Sequence, residues 1–215
     1  MYARTINERT ITLGVSGLLW EGSLVMVDTE TESLWSHLLG KAMKGPLEGE
    51  RLETIPSLMT DWESWKSRYP ETTVIGMTRT ADRYRRELIH HEGGLDIGLA
   101  TDTEARVWSF SFLYSERVIN DRFAEMAIVV VYDAASRTAT IYDRSVDGNE
   151  LTFESREGKL VDRDTGSQWD PFTGVALSGT LDGKRLTRLP GLVTDSAAWH
   201  VYHPKTTAWS ESDDK

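Results

Sequence analysis

Apolar and polar positions along this chain fall into short, strand-sized runs. Residues 127–132 (AIVVVY) are continuously apolar, and residues 138–142 (TATIY) alternate and are rich in β-branched side chains. Leu151-Thr152-Phe153 and Lys159-Leu160-Val161 follow at short intervals. Asp147-Gly148 and Glu157-Gly158 separate these runs, and Glu48-Gly49 and Asp182-Gly183 sit between apolar residues in the same way. Such pairs predict tight hairpin turns, because both central residues accept positive φ. A helical period appears where Trp62, Trp65 and Tyr69 recur at i, i+3 and i+7 behind Thr60-Asp61-Trp62-Glu63. That tetrapeptide predicts a capping box, with the Thr60 hydroxyl accepting from the amide three residues on and Glu63 reaching back. Pro70 predicts the stop. Thr194, Trp199 and Pro204 predict a second helix with Thr194 as a simple cap, since Ala197 stands where Glu63 does. The pattern as a whole predicts a mostly β protein with short helices, a β-rich α+β fold.

The same pattern occurs twice. With an offset of 134, about 20 of the 50 positions in 26–75 are identical to those in 160–209, where chance gives roughly three. Asp28, Thr31, Ser33 and Trp35 match Asp162, Thr165, Ser167 and Trp169; Gly45, Leu47, Gly49, Arg51 and Leu52 match Gly179, Leu181, Gly183, Arg185 and Leu186. Pro56, Thr60, Asp61, Trp65 and Pro70 match Pro190, Thr194, Asp195, Trp199 and Pro204. Upstream, Tyr2-x-Arg4 matches Tyr142-x-Arg144 and Thr12 matches Thr152, now at an offset of 140, so the first copy has a longer loop near Gly14–Gly22. The period is far beyond that of solenoid repeats. The expectation is two tandem homologous units: 1–76, N-terminally incomplete; a linker over 77–94 carrying a short helix; and 95–215. Trp35 and Trp169, and Trp65 and Trp199, are expected to be equivalent and buried. Asp28, Asp162, Asp61 and Asp195 are expected in turns and caps. The first copy has no counterpart of the strand over 127–132, which predicts an unpaired edge near residues 2–13.

Composition narrows the classes. The chain has 215 residues and a net charge of −10, which argues against nucleic acid as a partner, despite the local arginines of 79–86. It has no cysteine, so disulfides, thiol catalysis and Cys-based zinc sites are excluded. No apolar run has the roughly 18 residues of a transmembrane segment, and the first ten residues have no signal-peptide apolar core.

Candidate chemistry is sparse. His200 and His203 stand at i, i+3 on the second predicted helix, a spacing that can present two imidazoles to one metal, and His90-His91-Glu92 form a compact cluster. Neither matches a metalloprotease helix motif. The glycines at 14 and 17 and at 174 and 179 fit neither a phosphate loop nor a nucleophile elbow. No catalytic set is assigned, and no cofactor is expected.

Residues 4–18 (RTINERTITLGVSGL), 24–35 (LVMVDTETESLW), Gly45-Pro46-Leu47-Glu48-Gly49 and Pro56-Ser57 resemble the domain of unknown function 3179 family. The second copy resembles it too, in Val118-Ile-Asn-Asp121, Tyr142-Asp-Arg144, Val146-Asp-Gly148 and Thr165-Gly-Ser-x-Trp169. The resemblance implies a bacterial or archaeal protein, commonly exported or lipid-anchored, with no assigned activity. It also implies a Cys-Pro-x-Cys-like segment ahead of the Tyr-x-Arg motif; here Asp133 and Ser136 occupy that place in the second copy. The favoured reading is a non-enzymatic binding or structural module, in its most specific form an extrinsic subunit of a larger, membrane-associated assembly. Its partner would be another protein chain, or a second copy, engaged through the incomplete first unit. The alternatives are a metal-dependent or hydrolytic enzyme using His200, His203 and nearby carboxylates, and a small-ligand binder between the copies.

Overall fold

A computed structural model describes residues 1–74 and 94–210. The linker expected over 77–94, the arginines of 79–86 and the His90-His91-Glu92 cluster therefore lie almost wholly outside the described residues. The chain opens with a small hairpin, β1 (Thr5–Ile6) and β2 (Arg9–Thr10), turning through Asn7 and Glu8 at positive φ. A four-stranded antiparallel meander follows: β3 (Leu13–Trp20), β4 (Ser23–Asp28), β5 (Leu34–Ser36) and β6 (Ala42–Lys44). Helix α1 (Trp62–Arg68) closes this half.

The second half is larger. It runs through β7 (Leu95–Ala100), β8 (Ala105–Ser109), α2 (Phe110–Glu116), β9 (Val118–Phe123), β10 (Met126–Asp133) and β11 (Thr138–Asp143). It continues through the hairpin β12 (Ser145–Val146) and β13 (Asn149–Glu150), then β14 (Phe153–Arg156), β15 (Lys159–Asp162), β16 (Gln168–Trp169) and β17 (Ala176–Ser178). It ends with β18 (Thr187–Arg188), β19 (Leu192–Asp195), α3 (Ser196–Tyr202) and β20 (Thr207–Ala208). Three four-stranded sheets result, ordered β18-β11-β10-β9, β14-β15-β16-β17 and β19-β7-β8-β20. The fold is mostly β with short helices, as the pattern predicts.

Strand β10 explains the continuous apolar run. Ile128, Val130 and Tyr132 face one core with Ile97, Trp108, Leu113 and Ile141, while Val129 and Val131 face another with Tyr142, Phe153, Leu160 and Trp169. A strand covered on both faces has no solvent side, so its alternation disappears. The first half has a smaller core, in which Ile6, Ile11, Trp35, Ala42 and Leu52 are buried.

The meanders β3–β6 and β14–β17 have the same strand order, and the hydrogen bonds around Asp28 match those around Asp162. In the first, the Thr31 amide donates to Asp28 Oδ1 at 2.6 Å and the Trp35 indole N–H to Asp28 Oδ2 at 2.8 Å. In the second, Thr165 and Trp169 make the same two bonds to Asp162, again at 2.6 and 2.8 Å. Trp35 and Trp169 are buried, as expected.

Several expectations need correction. The helix caps are Asp61 and Asp195, one residue past the threonines: Asp61 Oδ1 accepts from the Ser64 amide at 2.8 Å, and Asp195 Oδ1 from Ala198 at 3.1 Å. Thr194 is occupied as a strand residue of β19 opposite Asp96, and the Thr138 hydroxyl donates to that of Thr60 at 2.8 Å. Trp199 is buried against β7, where a Cβ on Gly98 would lie 2.6 Å from its ring. Trp65 is only half-buried, because its neighbours are Tyr69 and, at 6.2 Å between centroids, Phe172. Residues 2–13 are bonded within the chain through Tyr2 to Thr54, Ala3 to Glu53, β1 to β2 and Leu13 to Asp28, while β1 and β2 form a sheet of two strands and β3 is the outer strand of its own.

The longer loop near Gly14–Gly22 becomes the long hairpin β3–β4. Its edge strand carries exposed Val15, where β14 has Ser155, and exposed Leu18 and Leu19, which lie in the added length. The register breaks between Val15 and Leu19, at Gly17 with φ 81°.

Candidate functional site

A cleft of about 680 Å³ lies between the two halves. The first half lines it from Met1 and Tyr2 and from two segments that run side by side. One links β5 to β6 and carries His37, Leu38, Leu39 and Lys41; the other carries Arg51, Leu52, Thr54 and Ile55. A backbone bridge between Lys41 and Arg51 and a bond from the Leu52 amide to the Gly40 carbonyl at 2.9 Å hold them together. The Tyr2 ring lies over Gly40, where a Cβ would meet it at 2.4 Å, and φ at Gly40 is +60°. Any side chain there would displace Tyr2, whose hydroxyl donates to the Leu38 carbonyl at 2.7 Å. Burial pushes the Tyr2 phenol up to about 12, so it stays protonated as that donor.

The second half lines the cleft from the end of β7, including Gly98 and Asp102, from the segment at Pro190 and Gly191, and from α3 through Trp199, Tyr202 and His203. Two contacts tie the halves at its margin. Arg51 Nε lies 3.5 Å from Asp102 Oδ1, both side chains being largely exposed. Tyr202 packs edge-on against Trp20 at 5.0 Å and donates its hydroxyl to the Trp20 carbonyl. The tip of the long β3–β4 hairpin therefore reaches the other half.

His200 and His203 take different places. His200 is exposed, with Nδ1 2.8 Å from the Ser196 carbonyl one turn back on its own helix. His203 lines the cleft with its ring on Trp199, 4.2 Å between centroids. Burial, and then the Arg51 charge, hold the His203 imidazole below its ordinary value, so it is neutral at pH 7. Among the described residues, no three His, Asp or Glu side chains converge where a metal ion could be held. No described helix is long and apolar enough to cross a membrane.

Asp28 is the other ionisable group with unusual surroundings. Burial would raise its pKa, but the Trp35 indole, the Thr31 hydroxyl and the Thr31 and Ser33 amides outweigh burial and hold it below the usual carboxylate range. Its lone pairs are used inside the fold, which makes it structural.

The cleft was not legible as a motif. Its lining comes from six separated segments, and of these residues His203 alone was a candidate site residue from the sequence. A signal exists in the differences between the copies: Leu38, Lys41 and Thr54 stand where Phe172, Val175 and Arg188 do. A family model described as a protein of unknown function (DUF3179) matches residues 1–91 and 93–215. No curated protein and no solved structure matches the chain.

Proposed function

Since the chain belongs to this family of proteins of unknown function (DUF3179), whose activity is unassigned, we propose that it is a non-enzymatic binding module holding a small ligand between two tandem homologous units. The observation that carries this reading is the cleft itself, read beside its counterpart. Applying the 134-residue offset to its lining leads to a smaller depression of about 460 Å³, lined by Pro56, Tyr69, Thr173, Arg185, Leu186 and Arg188. There Arg68 lies over the Phe172 ring at 4.6 Å and pairs with Asp170 at 2.7 Å, while Arg188 donates to the Phe172 carbonyl. In the cleft, Leu38, Thr54 and Tyr202 replace Phe172, Arg188 and Arg68, so the Arg68–Phe172 stack has no equivalent and the space widens from about 460 to about 680 Å³. Matching hydrogen bonds in the two meanders support the tandem-unit part of the proposal.

The test is to close the cleft with the chain's own alternative residues. A mixture of small metabolites, followed by amide and indole chemical shifts, is expected to move the signals of Trp199, Tyr202 and the segment 37–41. The double variant Leu38→Phe, Thr54→Arg should lose those shifts while keeping its thermal midpoint. Shifts confined to other surfaces, or unchanged in the double variant, would overturn the proposal.

A further inference from the structure

The two clefts differ in how their cations are used. In the smaller one, Arg68 is paired with Asp170, and Arg188 is bonded to the Phe172 carbonyl and lies 3.5 Å from the Tyr142 hydroxyl. Arg68 and Arg188 are spent on the fold, and Arg185, the counterpart of Arg51, donates to the Thr173 carbonyl at 3.4 Å; the cation that the open cleft adds is Lys41. In the open cleft, Lys41 replaces Val175 and has no ion-pair partner among the described residues. Among the described residues, Arg51 is held by the long, exposed contact to Asp102 alone. Lys41 is half-buried, and the two residues are bridged neighbours across adjoining segments, so their side chains leave the same stretch of wall. Opposite them lie Trp199, Tyr202 and the ring of His203, a largely aromatic surface.

From this contrast we infer that the open cleft binds a small organic anion, its carboxylate or phosphate head held by Lys41 and Arg51 and its apolar body against Tyr202 and His203. The inference rests on reading the cleft as a ligand site. Two cations on one wall suit an anionic head, since charge-assisted hydrogen bonds are about twice as strong as neutral ones. The chain carries a net charge of −10, so its long-range field repels anions and the attraction must be local. His203 adds to the fit. Burial and the Arg51 charge keep it neutral, so its ring offers an uncharged face to the ligand's apolar body.

The test uses three probes of one shape: naphthalene-2-carboxylate, 2-naphthyl phosphate and the neutral naphthalene-2-carboxamide. Each is titrated into the full chain while the Trp199 indole and 37–41 amide signals are followed. At least one anion is expected to bind in the cleft about tenfold more tightly than the amide. Which anion is tighter names the head group. Lys41→Gln and Arg51→Gln should each weaken anion binding far more than amide binding and so remove most of that preference, and Arg51→Lys should retain part of it. Equal binding of anions and amide in the cleft would overturn the anion inference and leave the ligand site standing. No probe shifting the cleft signals would overturn both. Thermal melts of each variant check the fold, and Arg51→Lys separates loss of charge from loss of bulk.

Discussion

At the scale of single residues, the most informative pair is Asp28 and Trp35. The carboxylate is fully buried, and all its acceptor capacity goes to the Trp35 indole, the Thr31 hydroxyl and local amides. Asp28→Asn keeps the shape but turns one acceptor into an N–H₂ group facing donors. The expected loss is about 1–3 kcal/mol in urea denaturation at pH 7. A loss within the scatter of surface substitutions would mean that the network is not structural. The pH dependence follows from the lowered pKa. The unfolded chain binds the proton more readily, so the stabilisation from Asp28 is complete above the ordinary value of 3.8. It fades as pH falls through the lower folded value, and the asparagine variant should lack that part of the acid transition. Identity between copies made this network legible, since a duplicated Asp-x-x-Thr-x-Ser-x-Trp string has to serve the fold twice. Trp65 shows where identity misleads. Its counterpart Trp199 is buried because β7 passes beneath it, and nothing in the local string says what passes beneath Trp65.

At the scale of elements, the runs of 127–132, 138–142 and 159–161 match β10, β11 and β15, whereas the run of 151–153 straddles the gap before β14, and β7, β8, α2 and β9 carried no pattern that was read. The helix starts were off by one residue, and the reason is local. Asp and Thr both cap helices, and a string such as Thr-Asp offers two candidates; Asp accepts the better bond while Thr stays with the strand or its neighbour. Asp61→Ala should therefore destabilise the first half by about 1 kcal/mol, and Thr60→Ala by less, in the same denaturation assay. The reverse order would return the cap to Thr60. The cleft was the least legible element of all. Its open shape comes from the places where the copies disagree, while a search for repetition weighs the places where they agree.

At the scale of the whole molecule, the two halves are unequal. Five buried apolar residues make up the core of the first, whereas the second has two cores sharing β10. Local opening is easier where fewer apolar contacts must break. Amide hydrogen exchange is expected to be faster in β4 and β5 than in β10 and β11, under conditions where the fold is native. Equal protection across both would show that the halves open as one unit. The joins between them are few on the cleft side: Arg51 to Asp102, and Trp20 to Tyr202.

The sheet β19-β7-β8-β20 is completed by strands from the far end of the chain. Thr207 lies beside Arg106 in a parallel pair, and Asp195 lies opposite Leu95. The intervening stretch contains the other two four-stranded sheets of the second half and the β12–β13 hairpin. Bringing such distant segments together carries a loop-closure entropy that β10 and β11, joined by a short turn, never face. Pre-organising the intervening stretch shortens the effective loop. The topology predicts an order of assembly: the hairpin of β10 and β11 early and the outer strands late, with Trp199, which packs on Gly98, seated after them. On that order the aromatic wall of the cleft is expected to gain amide-exchange protection after β10 and β11 during refolding.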